Sequence, residues 1–398
     1  MIHRPEKLSW AIWLAMFAVA LIAWNTEVGA RSQAKPASQD SLLRKRLQER
    51  FDELHKAGQF PGATAGFAFA DGGSFALATG LSNRETGTAM KADDRMLQGS
   101  VGKTYVAAVA LQLVHENKIA LDDKIEKYLG KEEWFARLPN ARDITVRQLM
   151  NHTSGLVRYE FKEQFLKDLI KDTDKFWKPE ELVAYLLDTQ APFAAGQGWD
   201  YSDTNYIVLG MIIERVTKSR YYDQAKKRVL APLKLRNTVA SDSRMIPGLI
   251  QGYAGADNPF GGRDAMIVDG KFAINPQFEW CGGGMASTTE DLARWAKALY
   301  EGKAFDQSLL SEMLKGVPAR LGPEAKYGLG VIIRPTPLGI TYGHSGFFPG
   351  YLTEMMYFPE HKLAIAVQVN TSVPRATGKP LSRFVTDFAE IILRERSK

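Results

Sequence analysis

From Ser100 to Val114 the chain offers almost no side suited to water. Val106, Ala107, Val109, Ala110, Leu111, Leu113 and Val114 are spaced so that a helix built on this run is apolar nearly all round. A helix of that kind belongs inside a large core rather than at a surface. The 398 residues, 45% of them hydrophobic, are enough to enclose it in one or two domains. Its first turn carries a serine and a lysine, Ser100 and Lys103.

Strand-like patterns lie on either side of this helix, far apart in sequence. Residues 63–70 and 74–79 flank Asp71-Gly72-Gly73, a hairpin signal. Residues 329–334, 340–343, 351–358 and 363–370 form a second group, and Pro359-Glu360-His361-Lys362 turns its last pair. Helical patterns dominate between the groups, over 146–152, 179–188, 206–217 and 222–230, while the glycine-rich 248–270 reads as loops. Asp40 or Ser41 can cap a helix carrying Leu43, Leu47, Phe51 and Leu54, which Gly58 ends. Residues 292–300 and 384–395 read as further helices. The expected fold class is α+β. One antiparallel sheet draws on both chain ends and is flanked by helices. A helical lobe packs beside it, with the active site in the cleft between. The sheet lobe is expected over about 40–99 and 280–398, and the helical lobe over about 100–279.

Arg4 and Lys7 precede an apolar stretch from Leu8 to Trp24, and Val28-Gly29-Ala30 follows with small residues. This is the pattern of a secretory signal over residues 1–30, cleaved after Ala30, with 31–39 as a disordered leader and 40–398 as the catalytic domain. The apolar run falls just short of the ~18 residues that favour the other reading, an uncleaved membrane anchor. Export to a bacterial periplasm, with no stable membrane span after cleavage, is the expectation. The formal charge of +6 comes without a dense Lys/Arg run, so nucleic acid is not an expected partner. The single cysteine, Cys281, cannot form an internal disulfide or a CxxC metal site, and it reads as a small buried residue.

Three short motifs carry the chemistry. Ser100-Val101-Gly102-Lys103 places a hydroxyl and an amine three residues apart, within reach of each other on a helix. A serine is a weak nucleophile until its proton is taken or its charge stabilised, and a nearby lysine can serve. The same spacing recurs in Ser32-Gln33-Ala34-Lys35, so context separates the two: only Ser100 opens a buried helix. Tyr201-Ser202-Asp203 brings a tyrosine able to shuttle a proton. His344-Ser345-Gly346 ends a strand-like run before Phe347-Phe348-Pro349-Gly350. Its glycine would let a substrate backbone approach a strand edge. Singly, Tyr201 also reads as a core residue and His344 as a turn residue. GxSxG, HExxH and GxxxxGK[ST] are absent, and the six histidines are scattered. No metal and no cofactor are expected.

At these residues the chain resembles the serine β-lactamase and penicillin-binding-protein-like hydrolases, of the class C β-lactamase and D-alanyl-D-alanine carboxypeptidase type. Supporting stretches include Phe60-Pro61-Gly62, Leu121-Asp122-Asp123, Asn151-His152-Thr153-Ser154-Gly155 and Gly282-Gly283-Gly284-Met285-Ala286-Ser287-Thr288. The resemblance implies a β-lactamase/transpeptidase-like fold. It implies Ser100 as acylated nucleophile, Lys103 as its proton acceptor or electrostatic partner, and Tyr201 as proton relay. The backbone N–H groups of Ser100 and Phe347 would form an oxyanion hole, and Asp203, His344, Ser345, Gly346 and Phe347 would bind substrate. Asp203 stands where many members carry asparagine. An ionised carboxylate cannot donate to a substrate carbonyl, but it can pair with Lys103; Asn205 is a candidate donor in its place. The expected activity is that of an exported acyl-serine hydrolase, D-alanyl-D-alanine carboxypeptidase-like or another D-amino-acid peptidase. Its partner is then a small molecule or peptide: a D-amino-acid peptide, an ester or a β-lactam. The alternatives are an esterase or β-lactamase of the same family, or a non-catalytic penicillin-binding or sensing protein.

Overall fold

A computed structural model describes residues 39–396, so the proposed signal and nearly all of the leader lie outside the described residues. The chain divides into two units, Met1–Lys45 and Arg46–Lys398. In the first, residues 39–45 are the opening turns of a helix, α1 (Gln39–Ala57). The second holds everything else.

Nine strands of the second unit form one sheet. They are β1 (Gly62–Ala68), β2 (Ser74–Asn83), β3 (Thr88–Ala89), β4 (Val317–Pro318), β5 (Lys326–Tyr327), β6 (Ile332–Thr336), β7 (Gly339–Phe348), β8 (Tyr351–Phe358) and β9 (Leu363–Val369). Their spatial order is β3-β2-β1-β9-β8-β7-β6-β5-β4, and neighbours are antiparallel. The two ends of the chain meet at β1 and β9, with Ala65 opposite Val367. Both of these strands are buried along their whole length, so both faces of the sheet are covered.

Adjacent residues on β1 show what covers them. A Cβ at Gly66 would lie 2.0 Å from the Thr289 carbonyl oxygen, at the start of helix α4 (Thr289–Tyr300). Phe67 instead meets Phe388 of the C-terminal helix α5 (Leu381–Arg396), with ring centroids 5.5 Å apart. Neighbouring residues on a strand point to opposite faces, so α4 and α5 flank the sheet. α4 in turn touches the long buried helix α2 (Lys103–His115). Trp295 stacks on Tyr105 at 4.4 Å, and its indole N–H donates to Thr104 Oγ1 at 2.7 Å. These contacts tie the sheet to the turn that carries Ser100. On its other side α2 packs against helix α3 (Thr204–Thr217).

Two expectations need correction. Ser100 lies in a 3₁₀ turn, Gly99–Gly102, that ends where α2 begins, rather than in the helix itself. The strand expected over 340–343 runs on to Phe348, because Tyr342 to Phe348 all pair with β8 around a Pro349-Gly350 turn. The short strand pairs Met96–Leu97, Val239–Ala240 and Met285–Ser287 were not anticipated at all; two or three residues leave no periodicity to read. Among the described residues no helix is long and apolar enough to cross a membrane.

Candidate active site

The nucleophile candidate is set by two glycines. Gly99 has φ +54°, and a Cβ there would lie 2.4 Å from the Phe347 oxygen and 2.7 Å from its nitrogen. A Cβ at Gly102 would lie 2.3 Å from the Gly283 oxygen. The turn can therefore wedge between β7 and the glycine triplet 282–284 only without side chains at 99 and 102. Residues three apart eclipse in a 3₁₀ turn, which stacks Lys103 over Ser100. The Lys103 ammonium donates to Ser100 Oγ at 3.0 Å.

Lys103 is fully buried, and its three N–H groups have three acceptors: Ser100 Oγ, Asp203 Oδ1 and the Gly282 carbonyl. A neutral amine could not make all three bonds. Burial pulls its pKa down, but the Asp203 carboxylate and Tyr201 outweigh that and hold it above the ordinary lysine range. Asp203 Oδ2 accepts from Arg158 Nη2 at 3.2 Å, and Arg158 Nε donates to Glu160. Burial would raise Asp203, but Lys103, Glu160 and Arg158 keep it far below the usual carboxylate range. Glu160 moves the other way, pushed well up by burial and by Asp203. Of the two carboxyls, Asp203 is the ionised one.

Tyr201 stands over the same amine, with Lys103 Nζ 4.9 Å from its ring centroid. Its hydroxyl is buried, with no hydrogen-bond partner in good geometry among the described residues, and lies within reach of Lys103 and Ser100. Burial raises its pKa and Lys103 opposes that, so the resting group is a phenol. His152, φ +63°, packs on the Tyr201 ring at 4.2 Å between centroids. Its Nδ1 accepts from the Ser202 N–H at 3.3 Å and faces Asn205 Nδ2 at 3.0 Å, and burial holds it neutral, well below its ordinary range. Asn205 also accepts from Ser154 Oγ. It is therefore engaged behind Tyr201, and the idea that it donates to substrate is not supported.

The third motif lies across the cleft. β7 pairs with β6 only as far as Gly343, so residues 344–348 have β8 on one side and no ladder on the other. His344 is buried, and its two nitrogens face the Ser345 carbonyl at 2.7 Å and the Tyr327 hydroxyl at 2.8 Å. Burial, with Lys103 adding to it, lowers its pKa to about 3, so it is neutral. Ser345 Oγ donates to Glu354 at 2.7 Å and accepts from Arg334 at 3.1 Å. A Cβ at Gly346 would lie 1.9 Å from the Gln98 carbonyl oxygen. The close approach that Gly346 permits is that of Gln98, two residues before Ser100, rather than of a substrate backbone.

A cavity of about 360 Å³ opens over Ser100. Of the residues expected from sequence, Ser100, Asp203 and Phe347 line it, and Phe347 is 50% exposed. Lys103 and Tyr201 stand behind Ser100. His344, Ser345 and Gly346 are near but outside the lining. Sequence reasoning passed over Arg158, Glu160 and Glu279, which also line it. The one available signal was a glutamate inside the bulky apolar run Phe278-Glu279-Trp280-Cys281, just before three glycines.

Comparison with known proteins extends this picture. A family model described as Beta-lactamase matches residues 47–390. Penicillin-binding protein 4* of Bacillus subtilis (strain 168) is 26% identical over 329 residues, covering 80% of this chain and 70% of that protein. Esterase EstB of Burkholderia gladioli is 27% identical over 345 residues, covering 77% and 87%. Among solved structures, a D-stereospecific amidohydrolase from Streptomyces sp. matches with TM-score 0.72 at 28% identity, covering 84% of this chain and 96% of that one. D-amino acid amidase from Ochrobactrum anthropi SV3, complexed with L-phenylalanine amide, matches with TM-score 0.76 at 25% identity, covering 89% and 100%.

Proposed function

The chain belongs to the Beta-lactamase family, a family of serine hydrolases, and from that premise we propose that it is an exported enzyme forming an acyl-Ser100 intermediate with amides or peptides of D-amino acids. The observation that carries the reading is the Lys103 ammonium 3.0 Å from Ser100 Oγ at the floor of a cavity, with the Tyr201 hydroxyl beside the pair. Similarity to a D-stereospecific amidohydrolase and a D-amino acid amidase supports the substrate class. The pattern of residues 1–30 supports export.

In this reading Lys103 is an electrostatic partner and not the base. It already donates to Ser100 Oγ, which leaves the serine's own proton free to point elsewhere. A neutral phenol can accept one proton while giving up another, so Tyr201 relays the Ser100 proton to the leaving group as the acyl bond forms. The Lys103 charge stabilises the negative charge that develops on both oxygens. The acyl carbonyl oxygen would sit between the backbone N–H groups of Ser100 and Phe347, which the bare Gly99 allows to come close. Water then enters along the same route: Tyr201 takes its proton and returns its own to Ser100 Oγ as the acyl–oxygen bond breaks. A second reading, an esterase, is favoured by the aromatic lining of the cavity, which suits an apolar acyl group with any leaving group.

The test is covalent. A fluorophosphonate probe should add one label per chain, and Ser100→Ala should abolish it while circular dichroism stays native. Undiminished labelling of the folded variant would remove Ser100 from this role.

A further inference from the structure

Beside Ser100 the cavity is lined by a carboxyl group with one oxygen that has no hydrogen-bond partner among the described residues. Glu279 lines the cavity, is only 8% exposed, and its Oε2 has no hydrogen-bond partner among the described residues. Buried polar groups without partners are rare in folded proteins and point to a missing ligand or water. The nearby cations are already engaged. Lys103 has its three acceptors, and Arg158 donates through Nε to Glu160 and through Nη2 to Asp203.

The local backbone around Glu279 is unusual. The next residue, Trp280, adopts φ +36°, ψ −115°, a conformation a bulky residue avoids. A Cβ at Gly283 would lie 2.3 Å from Glu279 Oε1, so the glycine triplet leaves room for the carboxyl. Burial, with Asp203 adding and Lys103 opposing, pushes Glu279 up to about 8. A positive charge placed against it would bring that value down and make the group an anion.

We propose that Glu279 is a cation subsite that takes the protonated amino group of an aminoacyl substrate whose carbonyl lies at Ser100. An ammonium offers three donors to the unpartnered oxygen and its neighbours. The phenylalanines lining the same cavity accept the acyl group's apolar side chain. The opposite arrangement, recognition of a peptide's terminal carboxylate, would need a free cation in this cavity, and Arg158, the cation that lines it, is held by Glu160 and Asp203. The substrate is thus an amino-acid amide or ester with a free amino group rather than a peptide bearing a free C-terminus at this site. This inference rests on Ser100 being the acylated nucleophile.

The experiment compares the full chain with Glu279→Gln on D- and L-phenylalanine methyl esters and their N-acetyl counterparts at pH 7. The wild type is expected to favour the free amine by about tenfold or more in kcat/KM for at least one enantiomer, and Glu279→Gln to erase about tenfold of that ratio. A merely structural role would lower both substrates together and leave the ratio alone, which would overturn the proposal, as would a wild type that prefers the acetylated ester. If Glu279→Gln does not fold, phenethylamine and N-acetylphenethylamine are tested for protection of wild-type Ser100 from a neutral fluorophosphonate. Protection by the amine alone supports the subsite, and equal protection or none overturns it. A Ser100 that labels normally without amine preference defeats this inference only, whereas a Ser100 that never labels defeats the hydrolase reading as well.

Discussion

The two sides of the cleft handle charge in opposite ways. On the helical side Lys103, Asp203, Arg158 and Glu160 form one connected set of ions and acids, and beside them Glu279 Oε2 has no hydrogen-bond partner among the described residues. On the sheet side the three motif residues carry no charge toward the cavity. His344 is neutral and Ser345 is tied to Arg334 and Glu354, while Gly346 makes room for Gln98. Both sides were legible as motifs, yet they differ in kind. One gathers charge around Ser100, and the other holds the turn of Ser100 in place. A motif match therefore identifies a position in the fold before it identifies a role.

The largest expected effect tests the charged side. Lys103→Met removes the ammonium from Ser100 and Tyr201 while roughly keeping the side-chain volume. Turnover should fall by about 10³-fold, the scale of a lost proton-transfer or charge-stabilising group. Arg158 remains to pair with Asp203, so the variant should still fold, as checked by its melting transition. A variant that loses stability but keeps its rate would reverse the comparison, making the lysine structural.

Gly346→Ala tests the sheet side. The added methyl cannot fit 1.9 Å from the Gln98 oxygen, so either β7 or the strand leading to Ser100 must shift. Overpacking of this sort costs about 1–3 kcal/mol, and urea unfolding should show a loss toward the upper end. The rate of fluorophosphonate labelling should fall as well, because Gln98 precedes Ser100 by two residues. Unchanged stability with a raised KM would mean that the glycine serves substrate after all.

How much of this could be read beforehand depended on length and repetition. The β1–β2 hairpin, the buried helix α2 and the closing helix α5 each carry several residues at a regular spacing, and each formed near its expected place. The 3₁₀ turn at Ser100 did not emerge, because four residues cannot distinguish it from the first turn of an α-helix. His152 was visible only as part of a longer matching stretch; its packing on Tyr201 depends on a loop conformation with φ +63° that no periodicity encodes. Glu279 was the hardest, since a glutamate among aromatic residues is normally turned outward, and only its burial shows otherwise.

The smallest effect separates the two sides through their protons. Unfolded histidine takes a proton below about pH 6.5, whereas folded His344 does so only near 3. Between those values the unfolded chain binds the extra proton, so His344 removes stability as the pH falls, by about 1.4 kcal/mol per pH unit. Glu160 and Glu279 act with the opposite sign, since their folded values are raised and the folded chain holds protons that the unfolded chain has lost. The wild-type slope is therefore a partial cancellation, and the informative quantity is a difference between variants. His344→Gln removes the histidine's share and keeps an amide facing Tyr327. Between pH 6.5 and 5 the variant should lose roughly 2 kcal/mol less than the wild type in urea unfolding. Glu279→Gln should move the other way and lose more. Identical slopes for His344→Gln and wild type would mean that His344 takes up a proton in the folded chain, which would return a positive charge to the sheet side and reopen that wall to a substrate carboxylate.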